Sequence, residues 1–437
     1  MKNYGILPPL GLHFNILKSL LSLFAKNQVS DLYRGLLDLP LECPPELTLH
    51  VANTLGEIEE AFALVHSEYW EHGYIDKKPK EMFLTKFNLL PTSSVVVAKW
   101  KNEVVGTCCL VNDGPFGLPS EGLFRFDELR TDRDKKIAEA TLFAVKENFE
   151  NVVTWPLLKF FYELSRRVHN IDTLVFALPD DKNLIEIFKS LFFCKALQKH
   201  AYTPHPCLNY GAIRLFQLDF ATTQMMLIKK YWKKPIQKDL FNFLHNLEYT
   251  NFEFPHESIH QWSASQLKEL LTNSDELIDS LSEYEKLCLK QFYQEPIYDN
   301  ILPTYNLEVI KTEERKKILD LKTPSSNLVP LHKIAFFNRE IRFKAEADGF
   351  ISSQVAQQTP IKIIDISLNG MRVQCSQSLK VGQPYTLKTD IGNNSIEIAI
   401  RTIWAKKESN IYGFRIEDQS KSWRQVIHYL IEKEQAS

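Results

Sequence analysis

The sequence predicts an N-terminal α/β domain with a mixed sheet, a helical connector and a C-terminal antiparallel β-barrel. Three observations predict it: strand-like runs alternate with helix-period stripes from Leu47 to Leu218, a helical pattern runs from Thr222 to about Leu331, and period-two alternation follows from Met371 to Ile416. A chain of 437 residues exceeds one ordinary core and calls for two or three domains. The expected boundaries are a helical extension over 1–46, the α/β domain over 47–220, the connector over 221–331 and the barrel over 332–437.

Taken in order, Leu47, Leu49 and Val51 read as a short strand. Thr54-Leu-Gly-Glu57 reads as a capping box, and Leu55, Ile58, Phe62, Val65 and Tyr69 behind it follow the spacing of a buried helix face. Residues 94–98 and 104–111 read as two strands joined in a hairpin through Lys101-Asn102. A strand over 137–145 precedes a helix begun near Pro156, with the proline in its first turn, where no donor is lost. Residues 173–178 read as a buried strand, 184–192 as a helix and 212–218 as the last strand.

In the connector, Ser263-Ala-Ser-Gln266 reads as a second capping box, and Leu277, Leu281, Tyr284, Cys288 and Phe292 as one amphipathic stripe. The basic and aromatic cluster at 229–234 reads as a solvated helix face, or as a contact for acidic carrier protein or lipid head groups. Residues 322–327 read as the linker into the barrel. There, Asp365-Ile-Ser367-Leu-Asn-Gly370 stands between alternating runs, and an Asp and a Ser two apart followed by Gly build a turn able to hold a polar ligand.

Composition narrows the classes. With 44% apolar and 24% charged residues the chain has a soluble globular make-up, and a formal charge of −2 offers no basic surface for a nucleic-acid polymer. The 7 cysteines are scattered without C-x-x-C spacing, which indicates neither a disulfide framework nor a zinc site and makes a reducing cytoplasm the expected home. Pro8 and Pro9, then His13 and Lys18, interrupt the apolar N-terminus, a poor signal peptide, and no run reaches membrane-spanning length. Phe14, Leu17, Leu20, Leu21 and Phe24 form one apolar stripe, expected to pack on the next domain, with peripheral membrane or lipid contact as the alternative.

Glu139 is a charged residue on an otherwise apolar strand, so it must face a cleft or find a partner. A cleft carboxylate with a raised pKa suits a general base, and a salt bridge to Lys135 or Lys136 is the alternative. Cys108 and Cys109, inside a β run, read as small buried hydrophobes. His200 and His205 share no metal-ligand pattern with a carboxylate.

The order of pieces from Arg342 through the Asp365 turn and Arg401-Thr-Ile-Trp404 to Tyr412-Gly-Phe414 resembles the PilZ domain, a bacterial receptor module for cyclic di-GMP. The resemblance implies a six-stranded antiparallel barrel with the dinucleotide as regulatory ligand. In that family an Arg-x-x-x-Arg pair ahead of the first strand grips the dinucleotide and the D-x-S-x-x-G turn closes on the other side. Carried over, the contacts are Arg342, Asp365, Ser367 and Gly370; the first arginine falls on Asn338, and Arg339 next door enters by a one-residue slip. A guanidinium fork gives two parallel donors to a phosphate or a guanine edge, and the Asp accepts from guanine N–H groups. The alternative is a tight turn in a barrel that serves protein interaction.

Residues 47–220 resemble the N-acetyltransferase superfamily, in the branch of N-acyl amino acid synthases and acyl-homoserine lactone synthases. The strings that carry this are His66-Ser-Glu-Tyr-Trp-Glu-His-Gly-Tyr74, Val105-Gly106-Thr107, Gly117-Leu118-Pro119, and Ala138-Glu139 opening a strand toward Phe143-Ala-Val145. The resemblance implies that Glu139 helps take the amine proton through water and that Thr141 stands beside the acyl cleft. Tyr69, Trp70 and Tyr74 would line the acyl or acceptor pocket, with core packing as the alternative, and Gly117, Leu118 and Pro119 would shape a loop over it, with an ordinary turn as the alternative. Between Val145 and Leu157 there is no glycine for a phosphate loop, which suits a thioester on acyl carrier protein over acyl-coenzyme A. Relatives carry arginines where this chain has Cys109 and Leu142.

The expected function is an N-acyltransferase that moves a fatty acyl group from an acyl carrier protein thioester to an amino-group acceptor under control of cyclic di-GMP. The competing class is a non-enzymatic cyclic di-GMP effector whose acyltransferase-like domain is a binding scaffold. Neither reading calls for a metal or a covalent cofactor.

Overall fold

The computed structural model describes residues 26–75, 84–132, 135–198, 212–232, 234–255, 262–272, 275–310, 342–353, 358–406, 409–417 and 420–436. The N-terminal stripe, His200, His205, the 322–327 linker, Asn338 and Arg339 lie outside them. The chain divides into two units, one from Met1–Thr223 with Pro235–Phe336 and one from Gln224–Lys234 with Phe337–Ser437.

The first unit carries, in order, α1 (Lys26–Gly35), β1 (Leu47–Val51), α2 (Leu55–Glu71), β2 (Ser93–Trp100), β3 (Glu103–Asn112), β4 (Ile137–Val145), α3 (Glu150–Glu163), β5 (Thr173–Pro179), α4 (Lys182–Phe192), β6 (Lys195–Ala196) and β7 (Ile213–Asp219). The next helix, α5 (Phe220–Tyr231), falls to the second unit from Gln224 onward, and the first unit resumes with α6 (Leu240–His245), β8 (Phe252–Glu253), α7 (Ala264–Thr272), α8 (Asp275–Asp279) and α9 (Glu283–Phe292). Its eight strands form one mixed sheet in the order β6-β7-β5-β4-β3-β2-β1-β8, with β4–β5 and β1–β8 parallel.

Helices cover both faces. On one, Ile58, Phe62 and Val65 of α2 share a core with Val95, Val97, Cys109 and Val111 of the sheet. On the other, α3 lies so close to β3 that a Cβ on Gly106 would meet Val153 Cγ1 at 2.7 Å. The hairpin expected at Lys101-Asn102 is present, with Lys101 at φ 60°.

Three expectations are corrected. The helix with Pro156 starts at Glu150, so the proline sits inside it; the 3-10 turn Glu147–Phe149 starts the coil early. The stripe through Leu277 and Phe292 is two helices, because Ser282 caps α9 by accepting from Glu285 N at 3.2 Å and breaks the run. In the Thr54 box, Thr54 Oγ1 accepts from Glu57 N at 3.3 Å, but the Glu57 carboxylate takes the Asn53 amide and bonds with His50 and Lys99, the nearer charged groups. The Ser263–Gln266 box closes in both directions.

The stretch expected as a connector gives the sheet its edge strand β8 and packs Trp262, Leu267, Leu270, Leu289 and Tyr293 into the α2 core. Leu281 and Cys288 of its apolar stripe are buried in the same core. Among the described residues, no helix is long and apolar enough to cross a membrane.

The second unit is a closed six-stranded antiparallel barrel of β9 (Phe343–Ser352), β10 (Gln358–Ile366), β11 (Gly370–Gln374), β12 (Pro384–Ile391), β13 (Asn394–Lys406) and β14 (Ile411–Ile416), in the order β10-β11-β14-β13-β12-β9. Alternation puts Ile351, Ile363, Val373, Leu387, Ile400 and Phe414 inside, and closure leaves no free edge. The helix α10 (Lys421–Ala436) anchors through the fully buried Trp423, whose indole N–H donates to Leu368 O at 2.7 Å.

Candidate functional site

The first site is built by a change of pairing along β4. This strand pairs with β3 through Val145 but with β5 only over Ile137–Ala140. At the same place the β3–β4 register slips between Thr107 and Cys109, and Leu142 takes φ 53°, a bulge that bends the strand. Beyond Ala140 the ladder between β4 and β5 ends. Glu139 belongs to the last paired residues and Thr141 to the first past the fork.

Register puts both side chains on the α2 face, since Glu139 pairs with Val111 and Thr141 with Cys109. Glu139 is 2% exposed, and its carboxylate accepts from Ser120 Oγ at 2.6 Å and from Ser120 N at 3.0 Å. Burial pushes its pKa up to about 7; the two Ser120 bonds pull it back and Glu121 adds to the rise. These bonds go to Ser120, not to Lys135 or Lys136. Thr141 is partly buried beside it.

Ser120 is held by the segment in which Gly117, Leu118 and Pro119 lie. Gly117 takes φ +68°, and a Cβ there would meet Glu121 Oε2 at 2.0 Å, so the turn requires glycine. Leu118 is buried and its amide donates to Glu121 Oε2 at 3.0 Å, while Pro119 opens the 3-10 turn Pro119–Gly122. Arg130 clamps the base of this loop, donating to both oxygens of Asp113 at 2.7 Å and to Glu121 at 2.5 and 2.7 Å. The loop is thus ion-paired at its base and carries the hydroxyl that bonds Glu139.

At the end of α2, Tyr69 and Tyr74 meet edge to face with centroids 5.7 Å apart, and His72 stacks on Tyr74. Burial, with Cys108, Tyr74 and Cys109 close by, pushes the Tyr69 hydroxyl well up, which places that ring beside the β3 residues opposite Thr141. Trp70, in the same turn, is 43% exposed. Cys109 is buried, with its thiol pushed up to about 12 by burial, and behaves as a hydrophobe. A polar cleft of about 290 Å³ lies nearby, lined by Lys135, Thr173, Lys195, Gln217 and Asp219 among others, and by none of the residues expected in a catalytic or substrate-binding role. Glu139, Val175, Gln217 and Lys195 stand in one row across four strands, so buried Val175 separates the carboxylate from it.

Two further groups escaped the sequence. The start of α3, where the helix dipole favours an anion, carries Glu147 and Glu150. On the α3 face, buried His169 bridges Ser94 Oγ at 3.1 Å and Asn112 Nδ2 at 3.0 Å, and burial, then Lys136, brings its pKa down to about 4. Neutral and enclosed, it is a packing link. Ser120 adjoins the Gly117 string, and only its hydrogen bonds to Glu139 reveal its use.

The second site is in the barrel. A bulge between Ile363 and Asp365 shifts the alternation of β10, so Asp365 lands on the outer face while Ile366 returns to the core. Asp365 is nevertheless 4% exposed, because Arg342 Nη1 donates to Oδ1 at 2.6 Å and Arg372 Nε to Oδ2 at 2.5 Å. Ser367 closes the turn onto Gly370 O through its amide at 2.7 Å and its hydroxyl at 3.1 Å. Gly370 admits no side chain, since a Cβ would stand 2.8 Å from Phe414 O. Arg342, Asp365, Ser367 and Gly370 are thus brought together; Arg372 was missed, although it is the first outward-pointing residue after the turn.

Residues 60–212 match the family model of the N-acyl amino acid synthase FeeM, and residues 337–433 that of the PilZ domain. Among solved structures, FeeM, an N-acyl amino acid synthase from uncultured soil microbes, is 19% identical over 41% of this chain and 95% of its own, with a TM-score of 0.34. The CoA-dependent acyl-homoserine lactone synthase BjaI is 12% identical over 48% of this chain and 93% of its own, with a TM-score of 0.33. The PilZ domain of YcgR from Escherichia coli, solved with c-di-GMP, is 15% identical over 22% of this chain and 92% of its own, with a TM-score of 0.19. No curated protein sequence matches the chain. The first unit has an N-acetyltransferase-like α/β fold, and the second the PilZ-like barrel.

Proposed function

We propose that the first unit transfers a fatty acyl group from a thioester on acyl carrier protein to an amine, and that cyclic di-GMP binding to the second unit regulates this activity. The observation that carries the reading is Glu139, a buried carboxylate with a pKa near 7 at the fork of β4 and β5. An amine attacking a thioester must lose a proton as the C–N bond forms and the C–S bond breaks. Glu139 accepts that proton, directly or through one water, and returns it to the departing thiolate, so the balance closes on amide and thiol. A base with a pKa near ambient pH suits both halves of that exchange. Backbone amides of β4 and β5 past the end of their ladder suit the thioester oxygen as it gains charge.

Glu147 and Glu150 favour a carrier-bound donor, because their charge at the start of α3 opposes a coenzyme pyrophosphate there. A second reading, binding without turnover, draws on Cys109 and Leu142, both buried and neutral where the relatives carry arginine. Incubation of the full chain with acyl carrier protein thioesters or acyl-coenzyme A and a panel of amines, with and without cyclic di-GMP, separates the two. The enzyme reading expects an amide product by mass spectrometry, more from carrier-bound donors; no amide under any loading supports the second.

A further inference from the structure

The outer face of the barrel carries one row of residues in register across five strands: Lys344 of β9, Asp365 of β10, Arg372 of β11, Gly413 of β14 and Trp404 of β13. Three cations, Arg342, Lys344 and Arg372, stand around the single carboxylate of Asp365. The arginine side chains are 41% and 45% exposed against 6% for Asp365. Each guanidinium therefore keeps donors turned outward while the carboxylate fixes its orientation. A fork aimed by one buried carboxylate is already organised for a phosphate or a base edge.

Gly413 leaves a gap in that row, and the indole of Trp404 fills it: a Cβ there would be 2.1 Å from Trp404 Nε1. A second bulge, between Thr402 and Trp404, turns this ring outward from the core. The ring is only partly buried and covers Gly413, the residue paired with Arg372. An aromatic plane beside a guanidinium pair is what a nucleotide needs, one surface for a base and one for its phosphate. Arg372 lies outside the strings that led to the barrel, and Trp404 entered among them with no ligand role.

We propose that Arg372 and Trp404 contact the ligand of this barrel, Arg372 supplying the guanidinium that Asn338 cannot, and Trp404 a stacking surface for one guanine. This rests on the reading of the barrel as a cyclic di-GMP receptor. The test is calorimetric titration of the full chain with cyclic di-GMP, on the parent protein, Arg372→Ala, Arg372→Lys, Trp404→Ala and Trp404→Phe. The expected losses of affinity are about tenfold or more for Arg372→Ala and for Trp404→Ala, with partial recovery in Arg372→Lys and Trp404→Phe. Tryptophan fluorescence adds a readout that a merely structural role would not move: ligand should change the emission of the parent, and Trp404→Phe should remove that change while still binding. Thermal melts show which variants remain folded at the titration temperature, and where an alanine variant does not, the Lys and Phe variants decide. A parent that binds with folded variants of equal affinity and unaltered fluorescence would overturn this inference alone. A parent that does not bind would overturn it together with the receptor reading beneath it.

Discussion

Glu139 in the sheet and Asp365 in the barrel are carboxylates buried to a similar degree, 2% and 4% exposed, each beside a bulge that re-aims its strand. Their partners differ. Glu139 accepts from the hydroxyl and amide of Ser120, both neutral, so desolvation dominates and its pKa rises to about 7. Asp365 accepts from two guanidinium groups, so its charge is matched, and Arg372 is held more firmly protonated by their bond. Burial alone assigns no role to a carboxylate; the charge of its donors decides between a group that exchanges a proton and one that orients cations.

The comparison breaks first at Asp365. Asp365→Ala removes the anchor of two arginines and should lower cyclic di-GMP affinity by about a hundredfold, since truncating one member of a buried charge pair costs about 2–5 kcal/mol. Titration checks it, and unchanged affinity would reduce the turn to a structural device. A stability effect of similar size is expected from Glu139. Its raised pKa means that the folded state holds a proton the unfolded chain has released, so stability falls as pH rises from about 4.5 toward about 7 and levels off above. Glu68, also raised to about 7 by burial and Glu71, slopes the same way, so the difference between the parent and Glu139→Gln isolates one residue. That difference should amount to roughly 3 kcal/mol across the window, read by urea denaturation at successive pH values.

Smaller effects sharpen the contrast. Ser120→Ala removes a bond that favours the charged form, so the titration of Glu139 should move further up, by about one unit or less, and transfer at pH 7 should drop several-fold. A pH–rate profile would reveal this, and an unmoved profile would detach Ser120 from the base. Least is expected of Cys109→Ala, about 1 kcal/mol of stability and intact transfer, because a buried thiol pushed up to about 12 is packing. Lost transfer in a folded Cys109→Ala protein would make it a participant instead.

Much of this was legible in the residues. Alternation marked the strands of both units, and Glu139 was conspicuous as a charge among apolar neighbours. Its partner was not, because Ser120 is distant in sequence and the nearby lysines offered a simpler match. The clamp of Arg130 on Asp113 and Glu121 joins three exposed-looking charges that only the folded loop brings together. Pro156 misled because a proline normally marks a helix start, whereas here the coil begins at Glu150. In the barrel the D-x-S-x-x-G turn stood out, but the meeting of Asp365 with Arg372 and of Trp404 with Gly413 depends on bulges in β10 and β13, and a one-residue shift of register is invisible to alternation alone.

The most direct measurement is the pH dependence of acyl transfer by the parent chain and by Glu139→Gln, using an acyl carrier protein thioester and an amine that the parent accepts. The parent rate should rise with pH through about 7 as Glu139 loses its proton, and the isosteric amide should lower it by about 10²–10⁴ and erase that limb. A Glu139→Gln protein that transfers at the parental rate with the same profile would contradict the assignment of Glu139 as the proton acceptor.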